Sequence, residues 1–411
     1  MTLHDDPAAF RAAWGRLVGV LTRSARLADP SLAEDAVQHA MVQALRLWPV
    51  AGTPGEPIAW LTTVARNHLR DALRARAAEA PWSFDEDDEP AAPAATPASS
   101  HEVTDDELAL IFACCDPELP AASQVALALK VACGFSLREI AAGLLTDESA
   151  LAQRLARARK ILAARGAPIA LPSGRDLPPR REAAMNAIHL LFNEGYAANS
   201  GEDAQRPDLC REAIRLARAL AAHPVAGDPD AHALAALLLF QGARLGARVD
   251  AQGDWLLLDE QDRSHWDGSM IAAALAHLSR AQEAQRLSAW HLRAGIASEH
   301  ATTRSFDATR WDQIVALYEA LLALDDSPPV RLAHAVALAH AQGAEVALPH
   351  VEALVDELPR TLAAYGHAAH AELLWRVSRT REALDAIDRA IAAAPGPAAT
   401  RLLLRKRGRM A

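Results

Sequence analysis

Ser136-Leu137-Arg138-Glu139-Ile140-Ala141-Ala142-Gly143-Leu144-Leu145-Thr146-Asp147 is the stretch that decides how this chain folds. Ser136, with Glu139 three places on, is the signature of a capping box that opens a short helix, expected over 137–144. Leu145-Thr146 makes a tight turn, and a second helix is expected from near Asp147 to about Ala164. Along it Leu151, Leu155, Ala158 and Leu162 recur at helical spacing and face inward, while Gln153, Arg154, Arg157 and Lys160 project outward. Two helices joined this tightly have helix-turn-helix spacing. A basic, solvated helix is the plainer account of the same pattern, and at this point both stand.

The surrounding sequence is helical in character. Ala, Leu and Arg abound and aromatic residues make up 5% of the 411 positions. Residues that lose little entropy in a helix dominate, so an all-α protein is expected, and its length suits two to four domains. Residues 8–77 are expected to form three or four helices. Phe10, Trp14, Leu17, Val18 and Leu21 lie at helical spacing, Asp29-Pro30-Ser31 breaks and restarts the chain, and a helix from Leu32 to Trp48 is expected to end at Pro49. A turn rich in Gly and Pro follows. The helix beginning at Ile58 carries Arg66, Arg70, Arg74 and Arg76 in its far half.

The net charge of −10 is unevenly spread. Between Ala77 and Pro120 twelve acids stand with no Lys or Arg, whereas Leu151 to Lys160 holds four cations and no acid. Screening confines a charge's field to ~8–10 Å, so the local basic helix outweighs the whole-chain charge as a sign of a nucleic-acid partner. Residues 78–104, acidic and then rich in Pro, Ala and Ser, have too little apolar surface to order themselves and are expected to be a linker. Residues 105–166 form the second helical module.

From Arg181 the pattern becomes paired amphipathic helices. Pro328, Pro359 and Pro395 recur at intervals of 31 and 36 residues. That is near the 34-residue tetratricopeptide period. Residues 181–411 are therefore expected to be a helical domain, tetratricopeptide-like toward its end. Arg401 to Arg409 is expected to behave as a basic solvated tail. Cys114, Cys115, Cys133 and Cys210 match no zinc spacing and are expected to be buried thiols, and no metal or cofactor is expected. With no apolar run near ~20 residues and a polar Met1 to Phe10, neither a membrane span nor a signal peptide is expected, which points to the cytoplasm.

Two segments resemble regions 2 and 4 of the sigma-70 family, the pair retained by its extracytoplasmic-function (ECF) members. Region 2 is matched by Ala33-Glu34-Asp35-Ala36-Val37-Gln38, followed by an apolar helix to Leu47-Trp48, and by Ala59-Trp60-Leu61-Thr62-Thr63-Val64-Ala65-Arg66-Asn67-His68-Leu69-Arg70-Asp71. Region 4 is matched by Ser136 to Ala141 and Gln153 to Arg159. The resemblance implies an RNA polymerase sigma factor, not an enzyme, binding the β′ clamp helices and β flap of core polymerase and promoter DNA. On that basis Glu34, Asp35, Val37, Gln38 and Met41 would meet polymerase, and Trp60, Arg66, Asn67, His68, Arg70 and Arg74 the −10 element. Gln153, Arg154, Arg157 and Lys160 would meet the −35 element. Trp60 is equally legible as a core anchor, and that reading is favoured. Leu32 and His39 stand where the family often has acids, and Glu148 near the start of the second helix could repel phosphate or accept from a cytosine amine.

The C-terminal part resembles the extension of an ECF group carrying a tetratricopeptide-like domain, through Leu191 to Tyr196 and Asp259 to Asp267. Asn193, Glu194, Tyr196, Asp259, Asp262, Arg263 and Trp266 would then form a regulatory interface contacting the sigma modules. Gly195 is expected to break a helix. Two other readings remain: a DNA-binding regulator with a ligand-sensing repeat domain, and an enzyme within residues 181–300 whose Asp259–Asp267 acids converge as a base.

Overall fold

The computed structural model describes residues 7–25, 27, 30–79, 105–164, 172, 174–197 and 205–411. The acidic linker expected over 78–104 lies almost wholly outside them. The described residues form eighteen α-helices and no strand beyond one isolated bridge between Val249 and Trp255, so the fold is all-α. Contacts divide the chain into two compact units, residues 1–191 with 222–226, and residues 192–221 with 227–411.

In the first unit α1 (Pro7–Ser24), α2 (Ser31–Ala51) and α3 (Pro57–Glu79) pack together, as do α4 (Asp106–Cys114), α5 (Ala121–Val131), α6 (Leu137–Gly143) and α7 (Glu148–Ala163). Helix α1 joins the two groups. The Trp14 indole N–H donates to the Val131 carbonyl at 2.9 Å. Gly15 lies so close to the α5 end that a Cβ there would sit 2.2 Å from the Ala132 oxygen, so only glycine permits this approach. The start of α8 (Pro178–Tyr196) is fixed to the same unit. There Arg180 donates to the Phe112 carbonyl at 3.2 Å and pairs with Asp116 at 3.3 Å.

Helix α2 does not stop at Trp48. It runs through Pro49 to Ala51 and ends where Gly52, at φ 84°, returns its N–H to the Trp48 carbonyl. A proline in the exposed last turn removes only one bond, so it is tolerated there.

The second unit contains α9 (Pro207–Ala222, its last residue counted with the first unit), α10 (Pro229–Gly242), α11 (Gly268–Ala281) and α12 (Ala289–Thr302). It continues through α13 (Trp311–Leu322), α14 (Pro328–Ala341), α15 (Ala344–Val355), α16 (Arg360–Arg376), α17 (Thr380–Ala392) and α18 (Pro397–Met410). From α12 onward each helix packs on the next. Pro328 and Pro397 open α14 and α18 and Pro359 caps α16, whereas Pro395 of the expected rhythm lies in the turn before α18.

Two expectations fail here. Gly195 does not break a helix. It lies inside α8, where a Cβ would meet the Arg206 carbonyl at 2.7 Å and the Cys210 nitrogen at 2.8 Å, so its role is close packing against the start of α9. Residues 401–409 are not a solvated tail. They belong to α18, and their cations are paired: Arg401 with Asp254, Arg405 with Glu260 at 3.0 Å, Lys406 with Glu372 at 3.1 Å, Arg407 with Asp388 at 2.6 Å and Arg409 with Glu260 at 3.3 Å. No helix among the described residues is long and apolar enough to cross a membrane.

Candidate nucleic-acid interface

The local sequence builds α6 and α7 as expected. The Ser136 hydroxyl and backbone N–H each donate to the Glu139 carboxylate at 2.8 Å, and the Glu139 N–H donates back to the hydroxyl at 3.2 Å, completing the capping box. The turn closes with the Thr146 N–H on the Ala141 carbonyl at 2.9 Å and places Leu145 at φ 52°. Leu151, Leu155, Ala158 and Leu162 are buried, fixing α7 on the interior, with α5 and α6 packed against it. The opposite face presents Gln153, Arg157 and Lys160 to solvent, with Arg154 half-buried beside them. Among the described residues no carboxylate pairs with Arg154, Arg157 or Lys160. Such a face can neutralise phosphates and offer an amide and guanidinium forks to base edges.

Helix α3 offers a second polar face. Arg66, Asn67, Arg70 and Arg74 are exposed, and only Arg74 has a weak neighbour, Asp71 at 3.9 Å. His68 is half-buried and stacks on His39 of α2, ring centroids 4.1 Å apart and planes 11° from parallel. Burial first, then His68 and Arg46, push His39 below the ordinary imidazole range. Trp60 meets Trp48 edge-on at 5.4 Å and so helps join α3 to α2.

On α2 the five residues expected to meet polymerase do not share one fate. Asp35 and Gln38 are exposed and Met41 is half-buried, but Val37 is wholly inside the core. Glu34 is 8% exposed. Its carboxylate accepts from Arg159 of α7 at 2.9 and 3.2 Å, an ion pair joining residues 125 positions apart. No local pattern marks this contact. It also left unmarked two exposed apolar residues, Val42 at 38% and Leu45 at 52%, which continue the Asp35–Gln38 face at spacings of three and four. Apolar residues on the solvent side of an otherwise amphipathic helix were the signal available for finding them.

In the second unit the acids between Asp259 and Asp267 do not converge. Asp262 caps the 3-10 turn Arg263–His265 through the Ser264 N–H at 2.9 Å. Asp267 caps α11 through the Ser269 and Met270 N–H groups at 2.8 and 3.1 Å. The Ser264 and Ser269 side chains first, then these backbone N–H groups, hold both carboxyls below the usual range. Glu260 accepts from the Leu257 N–H at 2.7 Å and from the α18 arginines. These geometries explain the acids as caps and ion pairs.

Of the expected interface residues, Asn193, Asp259 and Asp262 are exposed, and Arg263 and Tyr196 are half-buried. Trp266 and Glu194 are buried, the latter beside Arg206 at 3.6 Å. Tyr196 stacks on Phe192 at 5.4 Å, and the Arg248 guanidinium lies 3.5 Å from its ring centroid.

All four cysteines are buried, and burial pushes the Cys115 and Cys210 thiols up to about 12, which makes them poor nucleophiles. Among the described residues no three metal-binding side chains cluster.

Comparison with known proteins matches two segments of the chain. Residues 10–79 match sigma-70 region 2, and residues 180–282 match a family of unknown function (DUF6596). An uncharacterized protein of Rhizobium meliloti (strain 1021) is 40% identical over 391 residues, covering 94% of this chain and 91% of that protein. No solved structure matches the chain.

Proposed function

Because residues 10–79 match sigma-70 region 2, we propose that the chain is a sigma factor of the ECF type, with residues 181–411 as a fused regulatory helical domain of tetratricopeptide-like character. Membership of that family carries a role in transcription initiation, through core RNA polymerase and promoter DNA, and the family is not enzymatic. It acts where polymerase and DNA are, in the cytoplasm.

One observation carries the finer reading. The outer face of α7 holds Gln153, Arg154, Arg157 and Lys160 without a carboxylate partner, on a helix whose inner face is locked by four buried apolar residues. In this reading α6 and α7 are the helix-turn-helix of region 4 and α7 enters the major groove at the −35 element. The exposed Arg66, Asn67, Arg70 and Arg74 of α3 serve the −10 element. Unstacked bases are held by charge, hydrogen bonds and stacking together, and these four residues supply the charge and hydrogen bonds. Asp35, Gln38, Val42 and Leu45 supply a mixed polar and apolar face for the polymerase clamp. Val37 supports that face from beneath.

The exposed Asn193, Asp259 and Asp262 are the residues best placed to join a regulatory interface with the sigma modules. Asp262 is held in position by its bond from the Ser264 N–H.

Arg154→Ala and Arg157→Ala test the α7 assignment by fluorescence anisotropy with promoter DNA across a salt series. Each lost phosphate contact is expected to reduce the slope of log affinity against log salt by about one. Unchanged slopes in both variants reject α7 as the DNA-reading helix.

A further inference from the structure

The second unit holds two arginines that behave unlike its other cations. Arg263, on its 3-10 turn, donates through Nη1 to the His300 and Thr303 carbonyls at 2.7 and 2.8 Å and to the Thr303 hydroxyl at 2.8 Å. That accounts for one edge of the guanidinium, which closes the end of α12. Arg244 donates through Nε and Nη2 to the Gln261 side-chain oxygen at 3.3 and 3.2 Å.

Trp266 is 8% exposed and lies near both guanidiniums, whose central carbons are 5.1 Å (Arg244) and 4.6 Å (Arg263) from its ring centroid. Every partner of these two arginines is neutral. Among the described residues no carboxylate pairs with either, whereas all five cations of α18 have one.

Among the described residues three nitrogens of this cluster have no partner: Nη2 of Arg263, Nε1 of the nine-tenths-buried Trp266 and Nδ1 of His300. Buried donors are ordinarily satisfied, and two neighbouring cations ordinarily share an acid. Beside His300, the Trp311 ring lies edge-on at 5.4 Å and is itself stacked on His340 at 4.2 Å, giving a flat apolar neighbour. Planar guanidinium forks next to aromatic rings match an oxyanion attached to a flat body.

We propose that the Arg244–Arg263–Trp266–His300 cluster is a binding site for a small oxyanion-bearing organic ligand, a carboxylate or a phosphoryl group. The acid missing among the described residues is supplied by the ligand. An oxyanion bound there offsets the Arg244–Arg263 repulsion and accepts from donors the fold leaves over. The site's role as the input of the regulatory domain rests on the function proposed above; its binding does not.

The test is isothermal titration calorimetry of the full chain with benzoate, inorganic phosphate and AMP in separate titrations. At least one probe is expected to saturate a single site. Benzoate alone assigns a carboxylate, and phosphate or AMP assigns a phosphoryl group. Arg244→Gln is expected to weaken binding about tenfold, about 1.4 kcal/mol. Arg263→Lys, which keeps the charge and loses the fork, is expected to weaken it similarly, and exposed Arg381→Gln to leave it unchanged.

Circular dichroism checks that the variants fold, and Arg244→Gln stands alone if Arg263→Lys does not, since Arg244 closes no helix end. Failure of all three probes to saturate at millimolar concentration overturns the proposal. Saturation that persists undiminished in Arg244→Gln does the same. Binding that leaves run-off transcription unchanged keeps the site and removes its regulatory meaning. Absence of binding, with transcription still altered by deletion of the second unit, keeps the regulatory reading and removes the site.

Discussion

Helices α7 and α18 are both basic and both packed on a core, yet they use their charge in opposite ways. Among the described residues the exposed cations of α7 pair with no acid, while every cation of α18 meets a carboxylate from elsewhere in the second unit. A count of Lys and Arg does not separate the two helices. What separates them is the presence of a partner. An unpaired face has its attraction left for phosphate, whereas a paired one has already spent it on tying α18 to the rest of its unit.

The largest expected effect comes from the cation of α7 that breaks its own helix's pattern. Arg159 turns inward to the Glu34 carboxylate. Arg159→Ala is expected to destabilise the first unit by about 2 kcal/mol, less than the full loss for a buried pair because Arg159 keeps partial exposure. Urea denaturation measures it. Arg157→Ala, two positions away, is expected to leave stability within ~0.5 kcal/mol while weakening DNA binding. If the two variants exchange phenotypes, the division of α7 into a holding side and a reading side is wrong.

A somewhat smaller effect distinguishes the units by pH. His277 and His300 are each held down to about 4, first by burial and then by neighbouring imidazole or guanidinium groups. The unfolded chain therefore binds more protons than the folded one between about 6.5 and 4. Stability is full above the ordinary imidazole range and declines as pH falls through it. The loss is roughly 1–2 kcal/mol once partial exposure is allowed for. Hydrogen exchange at pH 7 and pH 5 should show protection falling in α11 and α12 before α5 and α7. Equal loss in both units contradicts this origin.

The smallest effect is expected at α18. Arg407→Ala breaks an exposed pair with Asp388 and should leave thermal melts almost unchanged. Promoter affinity should not change. A drop in affinity would break the contrast with α7.

These contrasts mark what the sequence could and could not carry. The α6–α7 joint was legible because its determinants are local: the Ser136–Glu139 box and a periodic apolar face within thirty residues. The proline rhythm of the second unit was legible only in part: Pro328 and Pro359 mark helix starts, while Pro395 lies in the turn ahead of Pro397, which opens α18. The inward turn of Arg159 was not legible, because its partner lies in another helix group far along the chain. The pairing of α18 was hidden likewise, with Asp254 and Glu260 well over a hundred residues away. Gly195 was misread because a close approach to α9 and a helix break call for the same residue. Val37 was misread because a helix that binds a partner also needs a buried side.

Run-off transcription with purified core polymerase and the full chain tests the central claim most directly. Promoter-specific transcripts that require the chain, and that fall when Arg154 and Arg157 are replaced by alanine, are the predicted result. Specific DNA binding with no transcript above that of core polymerase alone would contradict it, leaving a DNA-binding protein that is not a sigma factor.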